Sequence, residues 1–578
     1  MNNSHAPQKN RTLKFWRVNL ILIFFVFLWA AIIGKLFFIQ VFHFDLYKAL
    51  AQGQQKFLSQ VQGERGEIFL QDGEKNIPLA INRNWTFCYI SPNEIRDKEK
   101  TADILSKIFS LEKNEILNKI ESQNETSMFL IIKQKLSEEE ISDIKKNNLP
   151  GIYIAEESLR DYPQDSLASD IVGFLGGEGR GQYGIEGYFD DALSGKETFV
   201  EGEKGPLGLL FLNSESSLSG GKGSDILLTI DYNVQFMAEK LLKETKEKLN
   251  FKDGEIIVMD PVSGKIIAMA QFPSFNPNSY SEEKNLDIFQ NSAIQKMFEP
   301  GSVFKGITMA GALEEEKVTP QTTYRDPGVI RIGGWPIYNY GQRTYPGEIT
   351  MTEVLEKSIN TGAVFAERKL GNDSFLGYIN KFGFFEKTGI DLQGEIFSQN
   401  QELKKGYEVN FATAAFGQGI EITPIQLVRA YGAIANGGKL VKPYVVDKIF
   451  ENDKISETQP LISSSIISQR TANQLTAMLV SVVDNGFGKA AKVPGYYIAG
   501  KTGTAQVPWS ALGIDKKGYS DETIQTFIGF APAFNPRFVV LVKLNNPNTK
   551  TAEYSAVPIF QELAKYIIDL WQIPPDYE

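Results

Sequence analysis

From Val18 to Gly34 the chain runs 17 residues without a formal charge, and Leu36 to Phe42 prolong the apolar run beyond Lys35. As a helix rising 1.5 Å per residue the first stretch covers about 26 Å, a little short of a hydrocarbon core of about 30 Å. Lys35, on its long apolar stem, reaches the interface from within such a helix. The pattern predicts a transmembrane helix over residues 18–42. Lys9, Arg11, Lys14 and Arg17 precede it with no acid among them, which places a tail of residues 1–17 in the cytoplasm and the body outside. A cleaved leader is the rival reading. It is disfavoured because no small-residue cleavage site follows the run.

Past this segment the periodicity changes repeatedly. Phe44 to Gln60 reads as a helix or stalk, and Gly63 to Phe69 turns into short strand-like runs. Residues 99–147 show helical spacing at Ile104, Ile108, Leu111, Ile116 and Ile120. Glycine-rich punctuation over 173–187 and 202–223 predicts loops within one module spanning residues 43–224. Beyond Ser224 the texture is different. Asp225–Ile230 is a predicted strand and Asn233–Leu249 a helix. Glu255–Met259 and Lys265–Met269 form a hairpin around Asp260-Pro261-Val262-Ser263-Gly264. Phe527–Ala531 and Arg537–Lys543 are strands, followed by a helix over Ser555–Trp571. Strands, then long helices, then strands and a closing helix predict an α+β fold for residues 225–578, with a helical region inserted between two halves of a sheet.

Composition narrows the chemistry. Sixty Lys and Arg against 70 Asp and Glu give a formal charge of −10, so nucleic acid is not an expected partner. The single cysteine, Cys88, excludes an intrachain disulfide and a cysteine-rich metal site. The only two histidines, His5 and His43, lie before the body begins. A Ser-His-Asp triad and a histidine zinc centre are therefore excluded there, and neither metal nor cofactor is expected. Any proton transfer falls to another residue type.

Pro300-Gly301-Ser302-Val303-Phe304-Lys305 supplies one. Pro and Gly break the preceding segment, and Ser302 is expected to open a helix of small and apolar residues. Ser302 and Lys305, three apart, then share a face. An amine at a helix N-terminus among apolar neighbours has a lowered pKa and accepts the serine proton, giving a nucleophile–base pair without histidine. The same Ser-x-x-Lys spacing recurs at Ser110/Lys113, Ser142/Lys145, Ser219/Lys222 and Ser281/Lys284 in solvated stretches. What sets Ser302 apart is the apolar helix that follows.

Two further elements come in order: Lys357-Ser358-Ile359-Asn360 and Lys501-Thr502-Gly503-Thr504. A second Lys-Thr-Gly, Lys387-Thr388-Gly389, sits in a turn-rich stretch and reads as a loop, whereas strand-like residues flank Lys501. The succession S-x-x-K, S-x-N, K-T-G resembles that of penicillin-binding proteins and class A β-lactamases. The chain as a whole resembles the class B penicillin-binding proteins, the monofunctional transpeptidases of cell-wall synthesis. Arg65-Gly66-Glu67-Ile68 is similar to the family's juxtamembrane motif, and Arg160-Asp161-Tyr162-Pro163 with Gly184-Ile185-Glu186 to its pedestal motifs. Leu228–Asp231, Glu299–Lys305, Gly417-Gln418-Gly419, Thr423–Gln426, Asn436-Gly437-Gly438 and Lys501–Gln506 resemble its catalytic domain.

The resemblance implies an elongated pedestal over 43–224 and, over 225–578, a serine acyltransferase domain of antiparallel sheet and helical subdomain. It implies that Ser302 attacks the penultimate D-Ala carbonyl of a peptidoglycan stem peptide ending in D-Ala-D-Ala, with Lys305 as base and Ser358 as relay to the leaving group. Asn360, Lys501, Thr502, Gly503 and Thr504 are the implied substrate-binding residues, with Ser302 and Thr504 N–H groups as oxyanion hole. β-Lactams are implied inhibitors and a SEDS-type glycosyltransferase an implied partner. The Ser-Ile-Asn element and Lys357 lean toward the division type, with septal and elongation roles both open.

One departure stands out. An Asn-Arg pair common upstream of the family's nucleophile is here Asn291-Ser292-Ala293, which puts that arginine's contacts in doubt. Arg160 and Glu186 are expected to be pedestal ion pairs, and Asp231 and Asp260 to cap a helix or turn. Among rivals, Gly495–Thr502 formally satisfies a phosphate-loop pattern. It lacks a hydrophobic strand before it and a helix after it. A carboxypeptidase or β-lactamase-type hydrolase and a noncatalytic scaffold remain the alternatives.

Overall fold

The computed structural model describes residues 12–42, 56–61, 63–121, 130–195, 198–204, 210–212, 221–452 and 454–578. The chain divides into two compact units, Met1–Glu64 with Ser194–Gly223, and Arg65–Leu193 with Ser224–Glu578. In the first, Thr12–Phe42 forms one helix of 31 residues. It carries exposed apolar side chains such as Leu22, Phe24, Phe27 and Trp29. Among the described residues no helix is long and apolar enough to cross a membrane. Most of the stretch expected to be a stalk, and both histidines, lie outside the described residues. Lys56–Val61 is a strand rather than helix, paired antiparallel with Thr198–Lys204, which also pairs with Leu210–Leu212.

In the second unit a seven-stranded sheet takes strands from both sides of residue 224. Its order is Lys454–Glu457, Val446–Glu451, Asp225–Asp231, Ile68–Asp72, Lys75–Ile90 and Leu130–Lys133, with Ile152–Asp161 also on Lys75–Ile90. Asp225–Asp231 runs parallel to Ile68–Asp72, and the other pairings are antiparallel. Amphipathic helices Lys98–Phe109, Lys113–Glu121 and Glu138–Asn147 bury Leu105, Phe109, Ile116, Ile120 and Ile144 in one cluster with Cys88 and Ile90. Asp97 and Ser137 cap two of them, Ser137 in a reciprocal capping box with Glu140. Strand Leu130–Lys133 interrupts the stretch expected to be helical. An apolar run of four residues carries no periodicity that separates the two. Burial pushes the Cys88 thiol up to about 12.

The remaining residues build a second sheet. Its strands are β1 (Asp253–Met259), β2 (Ile266–Phe272), β3 (Ala499–Pro508), β4 (Tyr519–Ala531) and β5 (Phe538–Asn545), in the order β2-β1-β5-β4-β3, all antiparallel. Successive side chains leave opposite faces of a strand. Ile256, Val258, Val540 and Val542 accordingly join one buried cluster, and Ile257, Met259, Val539 and Leu541 the other. Both faces are covered, which is why these strands read as unbroken apolar runs. Six of the helices packed with it are α1 (Tyr232–Leu249), α2 (Lys305–Glu314), α3 (Asn360–Leu370), α4 (Pro424–Ala435), α5 (Gln469–Asn485) and α6 (Ala556–Leu570). α1 and α6 cover the first face through Leu241, Leu242, Phe560 and Leu563. α2 to α5 form the helical layer on the second. Asp231 caps α1 by accepting from Asn233 and Val234 N–H, and Asp260 caps the β1–β2 turn at Val262 and Ser263, both as expected.

Candidate active site

The helix that Ser302 is expected to open starts as a tighter winding. Gly301–Phe304 is a turn of 3₁₀-helix, and α2 begins at Lys305. The tighter turn is held from two sides. Gly301 adopts φ +58°, a conformation only glycine takes without strain, and a Cβ there would stand 2.9 Å from that of Ala505 on β3. Gly301 N–H donates to Gly417 O at 2.9 Å, and a Cβ on Gly417 would lie 2.1 Å from Gly301 O. The Gly417-Gln418-Gly419 turn is thus packed against the residue before the serine. Tyr431 of α4 donates to Val303 O at 2.6 Å from behind. Ser302 is fixed between edge strand β3 and α4.

The Lys305 side chain is buried at the start of α2, with 1% exposure. Its Nζ lies 2.6 Å from Ser358 O, 2.8 Å from Asn360 Oδ1, 3.0 Å from Ser302 Oγ and 3.2 Å from Ser358 Oγ. Burial, reinforced by the Lys501 charge, holds its pKa well below the usual lysine value. A neutral amine has two N–H donors and one lone pair. The two carbonyl oxygens, Ser358 O and Asn360 Oδ1, accept but cannot donate, so they take both N–H groups. The lone pair is left to the serine hydroxyls. Desolvation favours the neutral amine, and in that form its position 3.0 Å from Ser302 Oγ lets it receive the serine proton.

Lys501 is fully buried on β3. Its Nζ donates to Ser358 Oγ at 3.0 Å, Thr502 O at 3.0 Å and Thr502 Oγ1 at 3.4 Å. Three acceptors suit an ammonium with three donors. Burial brings its pKa down to about 7, so the group changes charge near neutrality. Ser358 Oγ lies between the two lysines and can pass a proton from one side of the site to the other.

Ser358 and Asn360 flank Ile359, which is extended (φ −79°, ψ 118°) and fully buried, so its two neighbours face the site together. Ser358 sits at φ +52°, a strained left-handed conformation for a non-glycine residue. Support comes from residues that sequence reasoning missed. Asp326 accepts from Thr361 Oγ1 at 2.7 Å and from Asn339 Nδ2 at 2.9 Å. Asn339 Oδ1 in turn accepts from Thr361 N–H at 3.1 Å, and Asn360 Nδ2 donates to Tyr338 O at 2.9 Å. Nothing local in the sequence marks Asp326 or Asn339 as neighbours of this element. Glu299, at the head of the serine motif, accepts from Gly419 N–H at 3.1 Å and from the Tyr519 hydroxyl, with its pKa raised by burial to about 7.

All eight residues singled out from the sequence meet here. Gly503 and Thr504 follow Lys501 and Thr502 on β3, in register with Thr526 and Gln525 of β4. Lys501-Thr502-Gly503 itself is strand, and the strand starts at Ala499 rather than earlier. The second Lys-Thr-Gly is a loop away from this cluster, with Thr388 bound to Glu395 through its N–H and hydroxyl. Arg160 and Glu186 form the expected ion pair at 2.7 Å, joined by Arg65 at 2.6 Å. Where the upstream arginine is absent, Ser292 Oγ donates to Glu255 Oε2, and Lys543 pairs with the same carboxylate at 3.1 Å.

Two hollows open at Ser302. One is a long cleft of about 1380 Å³ lined by Asn360, Gln418, Thr504, Gln506 and Tyr519. The other is a pocket of about 260 Å³ lined by Lys357, Ser358, Thr502 and Thr504. Among the described residues no group of His, Cys, Asp or Glu side chains could hold a metal ion.

Comparison with known proteins agrees with this geometry. The family described as penicillin binding protein transpeptidase domain matches residues 254–565, and the penicillin-binding protein dimerisation domain matches 60–228. The chain is 33% identical over 542 residues to stage V sporulation protein D of Bacillus subtilis, covering 92% of this chain and 82% of that one. It is 28% identical to the peptidoglycan D,D-transpeptidase FtsI homolog of Mesostigma viride, over 98% of both. The crystal structure of penicillin binding protein 3 from Mycobacterium tuberculosis complexed with aztreonam superposes with a TM-score of 0.68 at 25% identity. That match covers 89% of this chain and 98% of the other. With the domain match extending over more than half of its length, the chain belongs to the class B penicillin-binding protein transpeptidases.

Proposed function

We propose that the protein is a serine-type peptidoglycan D,D-transpeptidase acting through an acyl-enzyme on Ser302. The observation that carries this is the buried Lys305 amine, 3.0 Å from Ser302 Oγ and held at 2.6 and 2.8 Å by the Ser358 and Asn360 carbonyl oxygens. Lys305 takes the hydroxyl proton as Oγ bonds to the penultimate D-Ala carbonyl carbon. Ser302 and Thr504 N–H groups stabilise the oxyanion. The peptide C–N bond then breaks, Ser358 hands a proton to the departing nitrogen, and D-Ala leaves. Asn360 holds the stem-peptide amide, and Thr502 and Thr504, backed by the Lys501 charge, bind the terminal carboxylate. Gly503 lets β3 lie close to the serine turn. An amine of a second stem peptide finally takes the acyl group and regenerates the serine.

The proposed arrangement is a cytoplasmic tail of residues 1–17, an anchor over 18–42, a pedestal over 43–224 and the catalytic domain over 225–578. The four N-terminal cations and the exposed apolar side chains on Thr12–Phe42 support an anchor in the cytoplasmic membrane with the body outside. Family resemblance supports a SEDS-type glycosyltransferase as the source of glycan strands.

Incubating the full chain with a β-lactam and mapping the peptides tests the acyl-enzyme directly. A lasting adduct is expected on the peptide holding Ser302, and none in Ser302→Ala. A quickly cleared adduct instead makes the protein a hydrolase, and no adduct on folded protein removes the enzyme reading. The pH dependence follows from the two lysines. Lys305 acts in its neutral form, present above its depressed pKa, and Lys501 in its cationic form, present below about 7. The second-order acylation rate is expected to rise through the first titration and decline above about pH 7. A rate still climbing to pH 9 contradicts the role given to Lys501.

A further inference from the structure

We infer that Glu299 is a positioning residue for acylation. Its carboxylate clasps the hairpin of β3 and β4 to the segment that carries Ser302, and so sets the width of the long cleft. The inference rests on the transpeptidase reading above and adds what determines the fit of the donor's acyl chain.

The hairpin has little else to hold it. From Trp509 to Gly518 no residue is buried, so packing does not fix its tip. The tip is ordered from within. Trp509 N–H donates to Gly518 O at 3.1 Å, and Lys516 Nζ stands 4.3 Å from the centre of the Trp509 ring. A unit braced internally and unpacked outside is free to swing on its base as one piece. At that base Tyr519 of β4 stands opposite Pro508 of β3, and proline has no N–H to add to the ladder. Among the described residues, the bond from the Tyr519 hydroxyl to Glu299 is the only hydrogen bond of residues 507–519 that leaves the hairpin.

Glu299 suits the task because its two oxygens serve different partners. Oε2 accepts from the Tyr519 hydroxyl at 3.1 Å, and Oε1 accepts from Gly419 N–H at 3.1 Å. The glycine turn is itself laced to the serine segment. Gly301 N–H donates to Gly417 O at 2.9 Å, and Phe298 and Ile422 exchange backbone bonds of 2.9 and 3.1 Å. One carboxylate, three residues before Ser302, therefore ties the serine turn, the glycine turn and the hairpin together. All three reach the long cleft, where Ser302, Gln418, Gly518 and Tyr519 are among the lining residues. Asn360, which holds the stem-peptide amide in the reading above, lines the same cleft, so the donor's acyl chain runs along it. Releasing the clasp widens the cleft beside that chain. The Ser302–Lys305 pair keeps its own contacts, with Tyr431 still behind the turn.

The test uses the full chain with Tyr519→Phe, which keeps the ring and removes only the hydroxyl. Two probes are compared: the bare penicillin nucleus, which has no acyl side chain, and a penicillin whose side chain is an N-acylated tripeptide. Saturation kinetics of acylation separate binding from the chemical step. For the peptidyl penicillin the half-saturating concentration is expected to rise about 10-fold, the scale of a charge-assisted hydrogen bond. Its limiting acylation rate is expected to stay within about twofold, because the nucleophile and base are untouched. For the bare nucleus neither constant is expected to move. A spin label on Ser510→Cys, at the exposed tip, is expected to gain mobility when Tyr519→Phe is added. In a Glu299→Gln background the effect of Tyr519→Phe is expected to shrink to about 3-fold or less, since the two side chains act as one contact. A label of unchanged mobility, or a loss that is equal for both probes or confined to the limiting rate, overturns the inference alone. Failure of the unmodified protein to form any acyl-enzyme overturns the transpeptidase reading and this inference with it.

Discussion

Replacing Lys305 by methionine is expected to slow β-lactam acylation of Ser302 by about a thousandfold, within the roughly 10²–10⁴-fold range of a lost general base. Methionine is close to lysine in length and apolar, so the buried slot stays filled and the turn that carries Ser302 keeps its backing from Tyr431 and Gly417. The serine remains in place with nothing to take its proton. Lys305→Met also removes a buried amine and leaves Asn360 Oδ1 and Ser358 O without their donor, at a cost of about 1–3 kcal/mol for each group so stranded. A thermal melt separates that loss from the catalytic one. The decisive comparison is with Ser302→Ala. A slow adduct in the lysine variant and none in the serine variant assign base and nucleophile separately. Acylation within about threefold of the unmodified rate shows that the proton goes elsewhere.

The second large effect is on stability. Glu186 is fully buried and its two oxygens serve two arginines. Oε2 meets Arg65 at 2.6 Å, and Oε1 accepts from Arg160 at 2.7 Å and from the Tyr162 hydroxyl at 3.3 Å. Arg65 has Asp190 as a further partner at 2.8 Å, but Glu186 is the carboxylate that Arg160 shares. Glu186→Gln keeps the shape and removes the charge, leaving two buried guanidinium groups with one half-shielded acid between them. Breaking a buried pair from one side costs about 3–5 kcal/mol. A fall of that size is expected in the urea unfolding of the full chain. A loss under about 1 kcal/mol, the scale of an exposed pair, would show that water reaches the cluster. The β-lactam adduct should still form in the folded variant, because the partners of Glu186, namely Arg65, Arg160 and Tyr162, are none of the residues that surround Ser302.

What could be read in advance follows from how local each feature is. Glu255–Met259 and Arg537–Lys543 were legible because a sheet buried on both faces writes an unbroken apolar run. The Ser302, Ser358 and Lys501 elements were legible because each is a contiguous motif whose order survives in one dimension. Strand Leu130–Lys133 was not, being too short to show a period among helices. The helix at Ser302 was legible but its 3₁₀ start was not, because a 3₁₀ turn leading into an α-helix has the same residue pattern. Its tighter winding is imposed by the close approach of Ala505 and Gly417, which are far away in the chain. Asp326 and Asn339 hold Thr361 across 35 and 22 residues. Such features depend on tertiary contact and leave no local trace.

Cys88 has a practical side. It is the only thiol in 578 residues, it is fully buried in the cluster with Leu105 and Phe109, and burial pushes its pKa up to about 12. Maleimides and other reagents that need an accessible thiolate therefore meet an almost blank surface. A single cysteine placed at the rim of the long cleft or of the small pocket becomes the one reactive handle on the molecule. A single fluorophore or spin label on that handle can follow substrate arrival without first deleting a background thiol.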